Sequence, residues 1–198
     1  MKRVVAAFYF DCTLTERDTF LPFLRHCCGA GRVGKALTRC FLPWIRYSLG
    51  LAERQEVKES MLTHTLFGQE EAMLEAWSRS FVAEEIPKYL KKEGMERLKW
   101  HQDQGHETVL VSASFRSYLQ PWAEQMGMKA VLSSEIEVID GRVTGKLAGR
   151  NCRGPEKVNR LEAWLGDRRD CTLYAYGDSD GDTAMLAYAD HPYLRKFH

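Results

Sequence analysis

The apolar positions of the chain form three short, continuous runs that lie far apart in the sequence. They are Val4 to Phe10, Thr108 to Val111 and Thr172 to Tyr176, each rich in strand-forming residues and bounded by polar or glycine positions. A strand that is apolar on both faces is typical of a parallel sheet covered by helices on both sides. The three runs therefore predict parallel strands at the centre of an α/β fold.

Helical and hairpin signals lie between the second and third runs. Ser117 to Met126 and Pro155 to Leu165 predict helices, the latter with proline in its first turn. Between them, Glu135 to Leu147 alternates apolar and polar residues around Asp140-Gly141, which predicts a hairpin. The order of these elements predicts an α/β three-layer sandwich with a parallel, Rossmann-like sheet.

Residues 16–100 differ from the rest of the chain because they show helical stripes and almost no strand signal. Apolar residues recur at helical spacing in two stripes, Val57, Met61, Leu62 and Leu66, then Leu74, Trp77 and Phe81. We therefore expect residues 1–15 and 101–198 to build the core and residues 16–100 to form a helical cap inserted after the first strand.

Composition narrows the functional classes. The 198 residues carry 28 Lys and Arg against 27 Asp and Glu, so no overall basic field predicts a nucleic-acid partner. The six cysteines show no metal-ligand spacing or disulfide ladder and are expected to be reduced thiols. No apolar stretch is long enough to span a bilayer. The N-terminal segment, MKRVVAAFYF, resembles a buried strand more than a signal peptide, which favours a cytoplasmic protein.

Polar side chains follow the predicted strands where each strand ends. The segments are Tyr9 to Thr15, Val111 to Ser114, Gly154 to Lys157 and Gly177 to Asp182. Because ligands bind beyond the carboxyl ends of parallel strands, we expect these segments to converge. Carboxylate oxygens suit Mg²⁺, while a lysine and a hydroxyl stabilise phosphoryl oxygens. The segments together predict a site for a phosphate group and a divalent cation.

With these motifs in this order, the chain resembles the haloacid dehalogenase superfamily of phosphohydrolases. The likeness is to its phosphoserine-phosphatase-like branch, in which a helical cap follows the first motif, and it covers essentially the whole chain. Ala7 to Thr15, with Asp18 to Leu24 after it, looks like the bacterial group that includes phosphatidylglycerophosphate phosphatases. The resemblance implies hydrolysis of a phosphate monoester with Mg²⁺ as the cofactor.

The resemblance also implies a role for each motif residue. In the family's Asp-x-Asp-x-Thr motif, the first Asp is the nucleophile and the second is the general acid/base. Asp11 and Thr13 match the second Asp and the Thr, whereas Tyr9 stands in the nucleophile's position and Cys12 replaces a common Gly. The other implied roles are phosphate binding by Thr13, Ser112, Ala113 and Lys157, and metal binding by Asp178, Asp182 and the main-chain carbonyl of Asp11.

Tyr9 divides the functional hypotheses. A phenol, with a pKa of about 10, is a weak nucleophile at neutral pH and offers Mg²⁺ no charged ligand. One hypothesis is a Mg²⁺-dependent hydrolase of a phosphorylated small molecule or lipid phosphate. The other is an impaired homologue that binds phosphate ligands or a protein partner. In an alternative register Asp11 is the nucleophile, but that register shifts the first strand by two residues, whereas the first register needs no gap.

The first part of the predicted cap is basic. Residues 17–54 hold seven Lys and Arg against two acids, interleaved with aromatic and aliphatic residues. Such a segment suits peripheral contact with an anionic membrane surface, which would agree with a lipid phosphate substrate. The alternative is an ordinary cap whose arginines are solvated.

Overall fold

The computed structural model describes residues 3–197, and it contains seven β-strands there. They are β1 (Arg3–Phe8), β2 (Glu107–Phe115), β3 (Ala130–Ser134), β4 (Ile136–Ile139), β5 (Arg142–Leu147), β6 (Cys171–Gly177) and β7 (His191–Leu194). Five of them form one sheet in the order β3-β2-β1-β6-β7, and every neighbouring pair in it is parallel. The predicted α/β fold with a parallel central sheet is confirmed.

Eight α-helices connect these strands within the described residues. They are α1 (Phe20–Arg39), α2 (Phe41–Ser48), α3 (Arg54–Thr65), α4 (Glu71–Glu84), α5 (Lys92–Asp103), α6 (Arg116–Gln125), α7 (Pro155–Leu165) and α8 (Thr183–Tyr188). The helices predicted at 117–126 and 155–165 correspond to α6 and α7. No helix in residues 3–197 is long and apolar enough to cross a membrane, and the cytoplasmic location stays a prediction.

Strand β1 shows why the sheet is covered on both sides. Its last four residues are fully buried. Val5 and Ala7 belong to an apolar cluster with α7 and α8, whereas Ala6 and Phe8 belong to a cluster with α5 and α6. Successive strand residues point to opposite faces, so a continuous apolar run places side chains in two cores at once.

Helices α1 to α4 follow β1 and lie within residues 16–100, the segment predicted as a cap. The predicted boundary at residue 100 falls inside α5, which packs on the sheet: His101 Nε2 lies 2.9 Å from the Tyr176 hydroxyl of β6. At Gly94 of α5 a Cβ atom would lie 2.6 Å from the Thr13 carbonyl oxygen. Only glycine allows α5 to approach the turn after β1 this closely.

The predicted hairpin is β4 and β5, and it does not extend the main sheet. Its turn has positive φ at both Asp140 (51°) and Gly141 (70°), as an Asp-Gly hairpin turn requires. The hairpin instead packs against α3, where Thr63 Oγ1 donates a hydrogen bond of 3.3 Å to the Gly145 carbonyl. Residues from the C-terminal half of the chain therefore pack against the segment predicted as a cap.

Candidate active site

The loop after β1 forms the centre of the site. Tyr9 is the first residue beyond the strand, and its N–H donates to the Tyr176 carbonyl of β6 at 2.9 Å. Residues 10–14 form a tight turn in which Cys12 has a φ of 57°. This left-handed conformation favours glycine, which explains physically why glycine is common at this motif position. Cys12 N–H donates to Thr15 Oγ1 at 3.3 Å, which helps to hold the turn.

Two adjoining cavities open at these strand ends. The first, about 260 Å³, is lined by Tyr9, Asp11, Asp18, Phe20, Trp44, Tyr47, Arg54, Val57, Lys58, Ala113, Ser114 and Arg153. The second, about 300 Å³, is lined by Tyr9, Asp11, Cys12, Asp18, Arg54, Arg153, Asp178, Ser179 and Asp180. Predicted residues of motifs one, two and four thus meet around one opening, together with side chains of helices α2 and α3.

Asp11 is held by three hydrogen bonds. Its Oδ1 accepts from Thr19 N–H at 2.7 Å and from Thr19 Oγ1 at 2.5 Å, and its Oδ2 accepts from Ser114 Oγ at 2.6 Å. Burial raises the pKa of Asp11, and nearby Asp18 acts in the same direction, against these hydrogen bonds. A raised carboxyl pKa favours the protonated form that a general acid needs.

Lys157 is directed at Tyr9 and Asp182. It is buried at the start of α7, with its Nζ 3.7 Å from the centroid of the Tyr9 ring. The same ammonium forms an ion pair with Asp182 and donates to the Val111 carbonyl at 3.3 Å. A cation over an aromatic face is attracted by the ring quadrupole. The phenol therefore occupies the place beside the lysine where the resemblance expects a carboxylate.

The Tyr9 phenol itself is not activated. Burial raises its pKa well above the ordinary value, and the carboxyl groups of Asp11 and Asp182 raise it further. Within residues 3–197, no group hydrogen-bonds its hydroxyl. A neutral phenol without a general base is a poor nucleophile for phosphorus.

Both carboxylate oxygens of Asp182 have partners inside the protein. Apart from the ion pair with Lys157, its Oδ2 accepts from Asp178 N–H and Ser179 N–H, both at 3.1 Å, and from Ser179 Oγ at 3.0 Å. A Cβ atom at Gly177 would lie 2.6 Å from Asp182 Cβ, so glycine is needed for this packing. Asp182 therefore fixes the loop after β6.

Asp178 has the opposite environment. Its Oδ1 is buried without a hydrogen-bond partner among the described residues. Burial, followed by the charge of Asp182, raises the pKa of Asp178 to about 6. Among the carboxylates predicted to bind the metal, Asp178 is the one with an oxygen free for a ligand.

The donors as arranged do not fit the predicted Mg²⁺ site. Mg²⁺ requires six oxygen ligands in near-octahedral geometry, some of them water. Tyr9 contributes no carboxylate, and both oxygens of Asp182 have internal partners. In the part of the chain from residue 3 to 197, no three His, Cys, Asp or Glu side chains are grouped so that they could hold a metal ion.

The predicted phosphate-binding residues divide between the cavity and the interior. Ala113 lines the first cavity. Ser112 is fully buried, and its Oγ accepts from Ser114 N–H at 3.0 Å. Thr13 Oγ1 is buried and lacks a partner among the described residues. Ser114, two residues after Ser112, is also buried but lines the first cavity and donates to Asp11.

Three cations line the cavity that the sequence analysis did not assign. Arg54 and Arg153 line both cavities, and neither forms an ion pair within residues 3–197. Lys58 Nζ donates to the Ala113 carbonyl at 2.6 Å and to Asn151 Oδ1 at 3.0 Å. Burial lowers the pKa of Lys58 to about 8. These cations place positive charge on the cavity wall, opposite the aspartates that also line it.

Comparisons with known proteins agree with this architecture. Protein CicA of Caulobacter vibrioides is 33% identical over 195 residues, covering 98% of this chain and 86% of that protein. Histidinol-phosphatase of Neisseria meningitidis is 29% identical over 126 residues, covering 60% of this chain and 56% of the enzyme. Proximity to phosphatidylglycerophosphate phosphatases is not borne out by these relatives and stays a prediction.

Solved structures share the fold over nearly the whole chain. A Bordetella pertussis Tohama I protein described as of unknown function has a TM-score of 0.84 at 27% identity, covering 98% of this chain and 90% of that one. A phosphoserine phosphatase in a phospho-aspartyl intermediate analogue state has a TM-score of 0.63 at 19% identity, covering 96% and 84%, which shows the fold.

The family assignment follows from the sequence match and the fold together. Residues 6–187 match the family described as haloacid dehalogenase-like hydrolase. The predicted family and its phosphoserine-phosphatase-like branch are confirmed. The chain therefore belongs to the haloacid dehalogenase-like hydrolase family.

Proposed function

We propose that this chain binds a phosphorylated small molecule at the ends of β1 and β2 and hydrolyses it only weakly, because Tyr9 takes the nucleophile's position. The observation that carries the proposal is the placement of Lys157 Nζ, 3.7 Å from the Tyr9 ring centroid. Family membership and the phosphatase names among the relatives support a phosphatase-type hydrolase as the parent activity.

The cavity wall supports the binding half of the proposal. Lys58, Arg54 and Arg153 line a space that also contains the acids Asp11 and Asp18. The lining therefore holds three cations against two acids, and burial raises the pKa of one of those acids, Asp11. Charge-assisted hydrogen bonds from arginine and lysine to phosphoryl oxygens are the strong contacts in such sites.

The hydrolytic half lacks its nucleophile but retains a candidate for the acid that protonates the leaving group. No carboxylate takes the position of Tyr9 to attack phosphorus, because Asp182, the acid paired with Lys157, also accepts from the loop after β6. Asp11, whose pKa burial raises, lines the cavity as the candidate general acid. Loss of a nucleophile alone costs on the order of 10⁶ in turnover, as in subtilisin. Residual activity well below that of a competent phosphatase is the expected consequence.

We expect Mg²⁺ to bind only weakly at this site. Phosphatases of this family generally use Mg²⁺. In this chain Asp178 and the main-chain carbonyl of Asp11 are the proposed ligands, and Asp182 joins them only if it releases Lys157 and the loop amides. We therefore expect low Mg²⁺ affinity that Asp178→Asn lowers further.

The test separates binding from turnover. We expect calorimetry to detect binding of inorganic phosphate, while p-nitrophenyl phosphate with Mg²⁺ is hydrolysed at a barely measurable rate. Rapid turnover by the unaltered chain that Asp11→Asn abolishes would overturn the proposal, because Asp11 would then be the nucleophile. Absence of phosphate binding would also overturn the proposal, because its binding half would then be wrong.

A further inference from the structure

Large apolar side chains are exposed mainly in one short stretch of the cap. Eleven large apolar residues are prominently exposed in the described structure, and six of them lie within residues 37–51. The six, which we call the α2 surface, are Leu37, Phe41, Leu42, Trp44, Leu49 and Leu51, each 44–67% exposed. Isolated apolar residues on a surface are ordinary, but a contiguous group indicates an interaction site.

Helix α2 carries this surface in an unusual orientation. None of its eight residues is fully buried. Phe41, Leu42 and Trp44 each leave more than half of their surface exposed, whereas Pro43 and Tyr47 are partly covered. A surface helix of a soluble domain normally turns its apolar side inward. Helix α2 presents its larger apolar side chains outward.

Exposed, unpaired positive charges lie in the same stretch of the chain as the α2 surface. Residues 19–52 contain five Lys and Arg and no Asp or Glu. Arg32, Lys35, Arg39 and Arg46 are exposed, and none forms an ion pair within residues 3–197. On α4 and α5, by contrast, exposed cations pair with acids one helical turn away, as Arg79 does with Glu75.

We infer that the α2 surface docks on an anionic lipid bilayer. An outward apolar helix can insert at the boundary between headgroups and acyl chains, while unpaired lysines and arginines bind the negative headgroups. A second copy of this chain is a poor occupant, because a symmetric interface would bring the same basic residues together. Charge complementarity therefore selects the anionic bilayer.

The α2 surface adjoins the site. Trp44 belongs to the surface and also lines the first cavity, as does Tyr47 on the next turn of the helix. Docking would bring the cavity opening close to the headgroup layer, where a lipid phosphate monoester could enter. The substrate class rests on the proposed function, but the docking itself does not.

Vesicle sedimentation tests the docking directly. We expect the chain to sediment with vesicles of phosphatidylcholine and phosphatidylglycerol, to bind pure phosphatidylcholine at least about tenfold less, and to lose binding as salt rises. Phe41→Ser with Leu42→Ser should lower the affinity at least about tenfold. Phe67→Ser with Met73→Ser, which removes exposed apolar groups elsewhere, should leave it unchanged.

Charge variants and a separate binding assay distinguish the remaining outcomes. Arg39→Glu with Arg46→Glu should abolish the preference for anionic vesicles, whereas Arg79→Glu with Lys92→Glu should preserve it. Calorimetric binding of inorganic phosphate should survive Phe41→Ser with Leu42→Ser, so failure of docking and failure of the proposed function are distinguishable. No binding to anionic vesicles, equal binding to neutral ones, or a stable dimer that the Phe41 and Leu42 variant dissociates would overturn the inference.

Discussion

The floor and the wall of the cavity differ in whether their ionisable groups have charged partners inside the protein. The floor, at the strand ends, contains Tyr9, Asp11, Lys157 and Asp182, and its charged groups already have partners inside the protein. The wall contains Arg54, Lys58 and Arg153. Its two arginines have no acidic partner within residues 3–197, and Lys58 donates to two neutral oxygens and lies over the rings of Phe20 and Phe115.

This difference indicates where a ligand can bind. A floor residue must give up an internal hydrogen bond or ion pair before it can engage a phosphate or a metal, and that exchange offsets much of the gain. A wall cation gives up only water or a neutral oxygen. The strand ends are therefore held together by contacts within the protein, and the proposed anion binding depends on the wall.

The largest expected effect comes from restoring a carboxylate to the floor. Tyr9→Asp places an attacking oxygen near Lys157 and adds a charged ligand for Mg²⁺. We expect Mg²⁺-dependent hydrolysis of p-nitrophenyl phosphate to rise by at least about a thousandfold, measured as kcat/KM. Adding Asp11→Asn should remove most of that gain, because proton transfer to the leaving alkoxide is lost.

Tyr9→Asn is the matched control for this change. It removes the ring and restores the size of the side chain but supplies no nucleophile, so activity should stay at the level of the unaltered chain. Trapping a beryllofluoride adduct on residue 9 of the Asp variant would locate the nucleophile. An adduct on Asp11 of the unaltered chain would contradict the comparison and favour the shifted register.

The second effect concerns stability of the floor. Lys157→Met leaves Asp182 buried without its cation, and breaking a buried pair by removing one partner costs about 3–5 kcal/mol. Urea unfolding should show this loss. Lys99→Met, at the exposed pair with Asp103, should cost no more than about 0.5 kcal/mol. If the two variants unfolded alike, the floor would not be held by its internal pairs.

A neutral partner provides a further check on the same pair. Adding Asp182→Asn to Lys157→Met removes the uncompensated charge, and the amide oxygen can still accept from the loop N–H groups. We expect part of the lost stability to return. A further loss would indicate that the charge of Asp182 serves the loop more than the lysine.

The sequence predicts the central strands well because their apolar runs are continuous, as in β1 and β6. It does not reveal β3 or β7. β3 is only five residues long, and β7 is a four-residue edge strand that contains Pro192 and is mostly exposed. Edge strands tolerate proline and need little apolar surface, so their stability comes from pairing with a neighbour rather than from local pattern.

The site shows the same division. Tyr9, Asp11 and Asp178 were predicted because motif residues sit at strand ends, and the structure places all three around the opening. Lys58 was not predicted, since it reaches the cavity only through the packing of α3 against residues 113 and 151. Position along the chain carries information about strand ends, whereas contacts between the cap and the core depend on the whole fold.

The third effect is a loss of anion affinity when a cation of the wall is removed. Arg153→Met removes one of two unpaired guanidinium groups from both cavities, and we expect sulfate affinity to fall about tenfold by calorimetry, which corresponds to ~1.4 kcal/mol. Arg150→Met is the matched control, because Arg150 is exposed and lines neither cavity at the strand ends. Equal losses in the two variants would mean that general surface charge, not the wall, attracts the anion.

The smallest effect is a pH dependence of anion binding that comes from Lys58. The pH at which the affinity changes shows whether the anion is bound by the wall or by the floor. Burial lowers the pKa of Lys58 to about 8, so its ammonium form predominates below that pH and its neutral amine above it. Sulfate keeps a constant charge over this range. The affinity for sulfate should therefore fall about fivefold as pH rises through 8, whereas an ordinary lysine would stay charged to about pH 10.

Two variants of Lys58 are the controls. Lys58→Arg keeps a charge throughout and should make the profile flat, while Lys58→Met should bind sulfate as weakly at pH 7 as the unaltered chain does at high pH. Neither the Tyr9 phenol of the floor nor Asp178 beside it produces this profile, because the raised pKa of Tyr9 keeps the phenol neutral there and Asp178, with a pKa of about 6, ionises at lower pH. An unaltered chain whose sulfate affinity did not change through pH 8 would show that Lys58 does not face the bound anion.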